Sequence, residues 1–238
     1  MMLDTGSYFD GMFQNDPMEE ENVFTVASYL ETVCHHEAAH AVTMYAMGNL
    51  LESVGVCANY APDASGKKSV CYSGLARPRS RKGAHRVSID FDYRALHFKL
   101  GVTLAAGPAG ERRHCIEREK PIRLLIASEG DHHGIDSIVR TLFARGRDGY
   151  AFQRLVWRAA QRIVAKPTVW KAICDVGDEL FNIAADAEEA EDGNIWAYIE
   201  PGDVYSICRR NGVTRGMLLP SAGDRHVPIF PAPAVRAA

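Results

Sequence analysis

This sequence predicts a mainly helical domain of the α+β class, with a small β-hairpin or sheet following the first helix. Three observations carry that expectation. Apolar residues recur at helical spacing through most of residues 23 to 210. One interval, 51 to 78, instead holds short β-leaning runs around a Pro/Asp/Ser/Gly turn region. Between residues 91 and 210 the prolines Pro121, Pro167 and Pro201 also fall where one helical pattern gives way to the next.

Length and composition set the frame. A chain of 238 residues, 47% hydrophobic and 24% charged, suits one main domain with a sizeable core. A formal net charge of -3 lacks the positive excess that a nucleic-acid or anionic-membrane binder uses. No run approaches the roughly 18 apolar residues of a membrane span. The opening "MMLDTGSYFDGMFQNDPMEEE" is acidic where a secretory leader is basic and then apolar, so the expected compartment is the cytoplasm. Six cysteines (Cys34, Cys57, Cys71, Cys115, Cys174 and Cys208) are scattered without a C-x-x-C pair and read as reduced thiols. Cys57 and Cys71 fall in two neighbouring predicted strands.

The first helix is expected from Val23 to about Gly48, where Gly48-Asn49 supplies a stop. Strands are expected over Val54 to Tyr60 and Ser69 to Leu75. Residues 76 to 86, "ARPRSRKGAHR", carry five Lys or Arg without periodicity and read as a solvated basic loop. A second helix begins at Phe91, and Gly107-Pro108 should kink or restart it. A third carries the stripe Ile135, Ile138, Val139, Leu142 and Phe143. Two further helical patterns divide at Lys166-Pro167, and "IEPGDVYSICRRNG" ends the set as a short helix with proline near its start. Three regions follow: an acidic, flexible segment over 1–21, the domain over 22–213, and a Pro-rich, disordered tail over 214–238.

Within the first helix stands "HHEAAH". His36 and His40 are four apart, so their rings leave the same helix face one turn apart and can share a metal ion. Glu37 is rotated about 100° from His36, which suits bonding to a metal-activated water rather than to the metal. This is H-E-x-x-H, whose chemistry is a zinc-activated water with the glutamate as general base. A buried Glu37 without partner or metal would cost several kcal/mol, roughly. A third ligand has to come from elsewhere, and "SEGDHHGIDS" offers Asp131, His132, His133 and Asp136. The pattern H-E-x-x-H-x-x-G-x-x-H is absent, because Thr43 and Ala46 occupy its later positions. His35 points elsewhere and reads as a structural or surface histidine.

These blocks together resemble the peptidase domain of the FtsH family, peptidase family M41, in the standalone form that lacks the ATPase module. "CHHEAAHAVTMYAMG" is similar to that family's H-E-A-G-H-A helix, with Ala39 in place of the glycine. "RALHFKLGVTLAAGPAGERR" resembles its helix ending in G-G-R-A-A-E-E, interrupted here by Pro108, and "SEGDHHGIDSIVRTLFARG" its segment bearing an aspartate ligand. The resemblance covers about residues 25 to 210. It implies a helical zincin-type metallopeptidase with Zn2+ held by His36, His40 and Asp131, Glu37 as catalytic base, and Glu111 as at most a supporting residue. It also implies a peptide or unfolded-protein substrate, taken up by edge addition to a strand within 53 to 60.

No Walker A pattern occurs, so ATP-driven unfolding is not built into this chain. A separate ATPase or adaptor, and a homo-oligomer, are the partners this leaves open. The rival expectation is a non-catalytic interaction protein on the same scaffold; a nucleic-acid role for the basic run lacks any accompanying motif. The tail's "DRHVPIFPAP" suggests a fold-back over the cleft as a further expectation.

Overall fold

The computed structural model describes residues 26–62, 68–79, 91–120, 128–143, 146–188 and 194–218. In chain order these form α1 (Val26–Ala46), β1 (Leu51–Pro62), β2 (Lys68–Pro78), α2 (Phe91–Glu117), α3 (Glu129–Leu142), α4 (Arg147–Val164), α5 (Pro167–Ala185), β3 (Ile195–Ile199) and α6 (Pro201–Arg210). The fold is mainly helical, with one small antiparallel sheet ordered β2-β1-β3.

The centre of the molecule is α1. Val33, Cys34, Ala38, Ala39, Ala41 and Val42 are all fully buried, and His35, His36, Glu37 and His40 are buried with them, so the helix is enclosed by neighbours around its whole circumference. It packs between α2 and α5 and lies on the sheet. Gly48, with φ of 90°, turns the chain out of α1 towards β1. Pro167 and Pro201 occupy the first turns of α5 and α6, where a missing N–H costs nothing. α3 and α4 are strongly amphipathic, and Ile135, Ile138, Phe152 and Val156 carry their apolar stripes into the core.

Several expectations need correction. β1 and β2 are longer than the sequence pattern suggested, and β2 runs through Pro78, so the basic run starts inside a strand; residues 80 to 90 lie outside the described residues. The register sets Ser73 opposite Cys57 and Asn59 opposite Cys71, so those two cysteines are not a facing pair. β3, Ile195–Ile199, is a strand that the sequence pattern does not predict. Its "IWAYI" alternates, with Ala197 and Ile199 buried and Trp196 and Tyr198 exposed, a period-two signal of only five residues.

Because β3 pairs with β1 over Ile195–Ile199, β1 is the central strand and cannot be the edge that accepts another chain. Helix α2 does not restart at Gly107-Pro108 but runs on to Glu117. Packing against α1 and α4 on either side holds it across the missing bond. The domain also extends past 213. The backbone N–H groups of Gly216 and Leu218 donate to the carbonyls of Tyr45 and Ala46 at 3.2 and 3.0 Å, tying the chain to the end of α1. Residues 1–25 and 219–238, and with them the flexible N-terminal segment and the fold-back of the tail, lie outside the described residues.

Candidate metal centre

His36 and His40 leave α1 towards α2 and the start of α3. Each ring is oriented through Nδ1. In His40, Nδ1 lies 2.7 Å from the carbonyl oxygen of Thr103; a carbonyl only accepts, so Nδ1 carries the proton. In His36, Nδ1–H donates to Oε2 of Glu111 at 2.8 Å. With both Nδ1 protons committed, both Nε2 atoms of the neutral rings present lone pairs.

Those lone pairs meet Asp131. Its Oδ2 lies 3.0 Å from Nε2 of His36 and 3.1 Å from Nε2 of His40, and the two Nε2 atoms are 3.1 Å apart. The placement follows from α3. Ile135 and Ile138 anchor the helix in the core, and Asp131, one turn before Ile135, falls on the same buried face. The other candidates lie elsewhere: His132 packs against the Trp157 ring, Asp136 is exposed and accepts from Nε2 of Gln153 at 3.2 Å, and His133 is exposed. The structure therefore brings together His36, His40 and Asp131, and not His132, His133 or Asp136.

Three electron-pair donors facing one another at about 3 Å repel unless a cation or protons lie between them. Donor atoms around a tetrahedral zinc with bonds of about 2.0–2.1 Å lie about 3.3 Å apart. The triangle is within a few tenths of an ångström of that, and its two-imidazole, one-carboxylate chemistry suits zinc. Helix α2 leaves the room: a Cβ at Gly107 would overlap the His40 ring and crowd Nε2 of His36. The donor set and its cradle thus fit the metal.

Glu37 sits beside the triangle, 5% exposed, with its carboxylate against the backbone of β2 at Gly74, where any Cβ would collide with it. Electrostatics follow from burial. Burial pushes the Glu37 carboxyl above its usual range, although the two imidazoles oppose this. Burial also resists charge on Asp131, but His40 and His36 outweigh it and hold the carboxyl down at about 2. Without a metal, burial disfavours a charged His36, yet its bonds to Asp131 and Glu111 carry its pKa up to about 10; Asp131 likewise raises that of His40 against burial. The site is built to hold positive charge.

A second group, Glu31, His35 and His114, lies near the other side of α1. It already has its cation. Lys120 Nζ donates to Oε2 of Glu31 at 2.6 Å and stands 3.2 Å from Nε2 of His114. The rings of His35 and His114 stack at 3.9 Å, and Nδ1–H of His35 donates to the carbonyl of Glu31 at 2.8 Å. Burial, followed by neighbouring His35 and Lys120, holds His114 near 3 and therefore neutral. This cluster is structural, and His35 belongs to it.

The orienting role of the Thr103 carbonyl has no mark in the sequence, because a backbone group has no residue signature. Comparison with family models and with curated proteins returns no match.

Proposed function

We propose that this chain is a zinc-dependent endopeptidase acting on flexible or unfolded protein segments, with His36, His40 and Asp131 holding the metal and Glu37 as general base. One observation carries the reading: Nε2 of His36, Nε2 of His40 and Oδ2 of Asp131 form a buried triangle of 3.0–3.1 Å edges while both Nδ1 protons are engaged elsewhere. When bound, zinc supplies Lewis acidity, bringing the pKa of a water towards about 7 and offsetting negative charge on a carbonyl oxygen.

The chain's own residues do the rest. Glu37 takes a proton from the attacking water on a carboxylate oxygen and returns it to the amine nitrogen that leaves. Burial pushes its carboxyl above the usual range, the direction that favours taking up a proton. Glu111 and the Thr103 carbonyl keep both imidazoles turned inward. The backbone of β2 at Gly74 adjoins Glu37, so the edge of β2, in place of the edge of β1, offers an extended substrate its hydrogen bonds.

No helix among the described residues is long and apolar enough to cross a membrane. Among the described residues Cys34, Cys115, Cys174 and Cys208 are free thiols, which favours a reducing compartment, the cytoplasm, as the proposed place of action. A separate ATPase or adaptor would present folded substrates.

The test is metal content and hydrolysis together. Protein purified without chelators or a histidine tag should carry close to one zinc per chain and cleave an unfolded protein. Glu37→Gln should keep the zinc and lose about 10²–10⁴-fold in rate. Asp131→Ala should lose the zinc in competition with a chelator. Zinc retained by Asp131→Ala would sink the ligand assignment, and full activity in Glu37→Gln would sink the base. A metal-loaded protein that cleaves nothing would leave the interaction-protein reading.

A further inference from the structure

The sheet has a second face, turned away from α1. Pairing aligns Tyr198, Gly55 and Leu75 in one row across it and Trp196, Cys57 and Ser73 in the next. They line a cavity of about 220 Å³, and among the described residues no charged side chain borders it. Tyr198 leans over Gly55, where a Cβ would strike its ring. Trp196 continues the surface, its ring plane 2° from that of Tyr198 and the two centroids 6.0 Å apart. Both rings stay open to water, Trp196 44% and Tyr198 50% exposed. An uncharged aromatic groove left in water marks a binding surface.

Aromatic-lined grooves of this kind suit proline-rich segments, because the polyproline II helix arrives preformed and loses little entropy on docking. The chain carries such a segment itself. Residues 227–234 read "VPIFPAPA", uncharged throughout, with a P-x-x-P spacing at Pro228 and Pro231. Three residues per turn set those two prolines on one side of a polyproline II helix, and the fixed φ of proline disposes such a run to that form before contact. We propose that the outer face of the sheet is a polyproline-binding surface, and that its occupant is the chain's own segment 227–234, packed through its prolines on Trp196 and Tyr198.

The reach of the chain agrees. Leu218, the last described residue, donates its N–H to the Ala46 carbonyl at the end of α1, the end from which the chain enters β1 at Leu51. Gly55 lies four residues into that strand, about 13 Å from its start. Ten residues lead from Leu218 to Pro228 and span up to about 33 Å when extended, enough to round the end of the sheet. The docked segment covers the outer side of β3, the strand whose arrival makes β1 central. Glu37 lies against the opposite face of the sheet at Gly74, so docking here leaves the metal centre open, in contrast to a fold-back of the tail over the cleft. The inference stands independently of the peptidase reading.

The experiment uses the full chain with a photoreactive benzophenone side chain in place of that of Phe230. Irradiation of dilute protein, followed by peptide mapping, should join position 230 to residues 55–57, 73–75 or 196–198 of the same chain. Trp196→Ala should lose most of that product. Should Trp196→Ala misfold, the double variant Pro228→Gly and Pro231→Gly, which removes the fixed φ of the segment and changes nothing in the sheet, should lose it equally. Crosslinks confined to other parts of the molecule, no crosslink at all, or a product undiminished in a folded variant overturns the proposal. The same contacts formed between two chains, in a product of twice the chain's mass, assign the face to a second copy and overturn it as well.

Discussion

Glu111 shows how one side chain acts through another. Its carboxylate accepts the Nδ1 proton of His36 at 2.8 Å, which fixes the ring plane and makes Nε2 a better donor. Glu111→Ala should weaken zinc retention by about 10–100-fold, read by chelator competition. Glu111→Gln should lose less, because an amide oxygen still accepts that proton without the charge. Equal zinc retention in wild type and Glu111→Ala would remove this role. For His40 the corresponding acceptor is backbone, the Thr103 carbonyl at 2.7 Å, and no side-chain substitution at 103 deletes it.

At the scale of elements, the site depends on how closely α2 approaches α1. Pro108 cannot donate in its own turn, which weakens the helical ladder there, and the Thr103 carbonyl, in the turn before, accepts from His40. Gly107, next to the proline, brings backbone where a side chain would lie on the imidazoles. Gly107→Ala should therefore cost about 1–3 kcal/mol of stability and reduce bound zinc even in the folded fraction. Denaturant titration alongside metal analysis separates the two effects. A variant with normal zinc content would mean that α2 has room to shift.

For the whole molecule, the proposed metal centre couples stability to pH. In the metal-free protein His36 has a folded pKa of about 10 against an unfolded value near 6.5. Its contribution is fully present below pH 6.5 and is lost as pH rises through 10. The raised pKa of Glu37 adds loss in the same direction. Asp131 works oppositely: its folded pKa of about 2 lies below an unfolded 3.8, so its contribution is present above pH 3.8 and is lost as pH falls through 2. Metal-free protein should thus weaken steadily above about pH 6.5. Zinc, by replacing the proton among the donors, should flatten that alkaline limb in denaturant unfolding at several pH values. Identical limbs with and without zinc would contradict a metal centre at these residues.

Much of this arrangement follows from local pattern. Helical periodicity with proline at the joints is enough to place α1, α3, α4, α5 and α6, because an amphipathic stripe and a missing N–H act over a few residues. The facing of His36 and His40 follows from helix geometry alone. What lay beyond the sequence was decided by contacts between distant segments. β3 is too short for five alternating residues to stand out, and it becomes a strand only because β1 offers it a partner. Its arrival converts β1 from an edge into the centre of the sheet. The choice of Asp131 over Asp136 within the segment, the orienting bonds of Glu111 and the Thr103 carbonyl, and the fit of Gly107 against the imidazoles all depend on the packing of α2 and α3 against α1. One-dimensional order determined which residue types face one way along each helix. Only three-dimensional packing decided which of those faces meet.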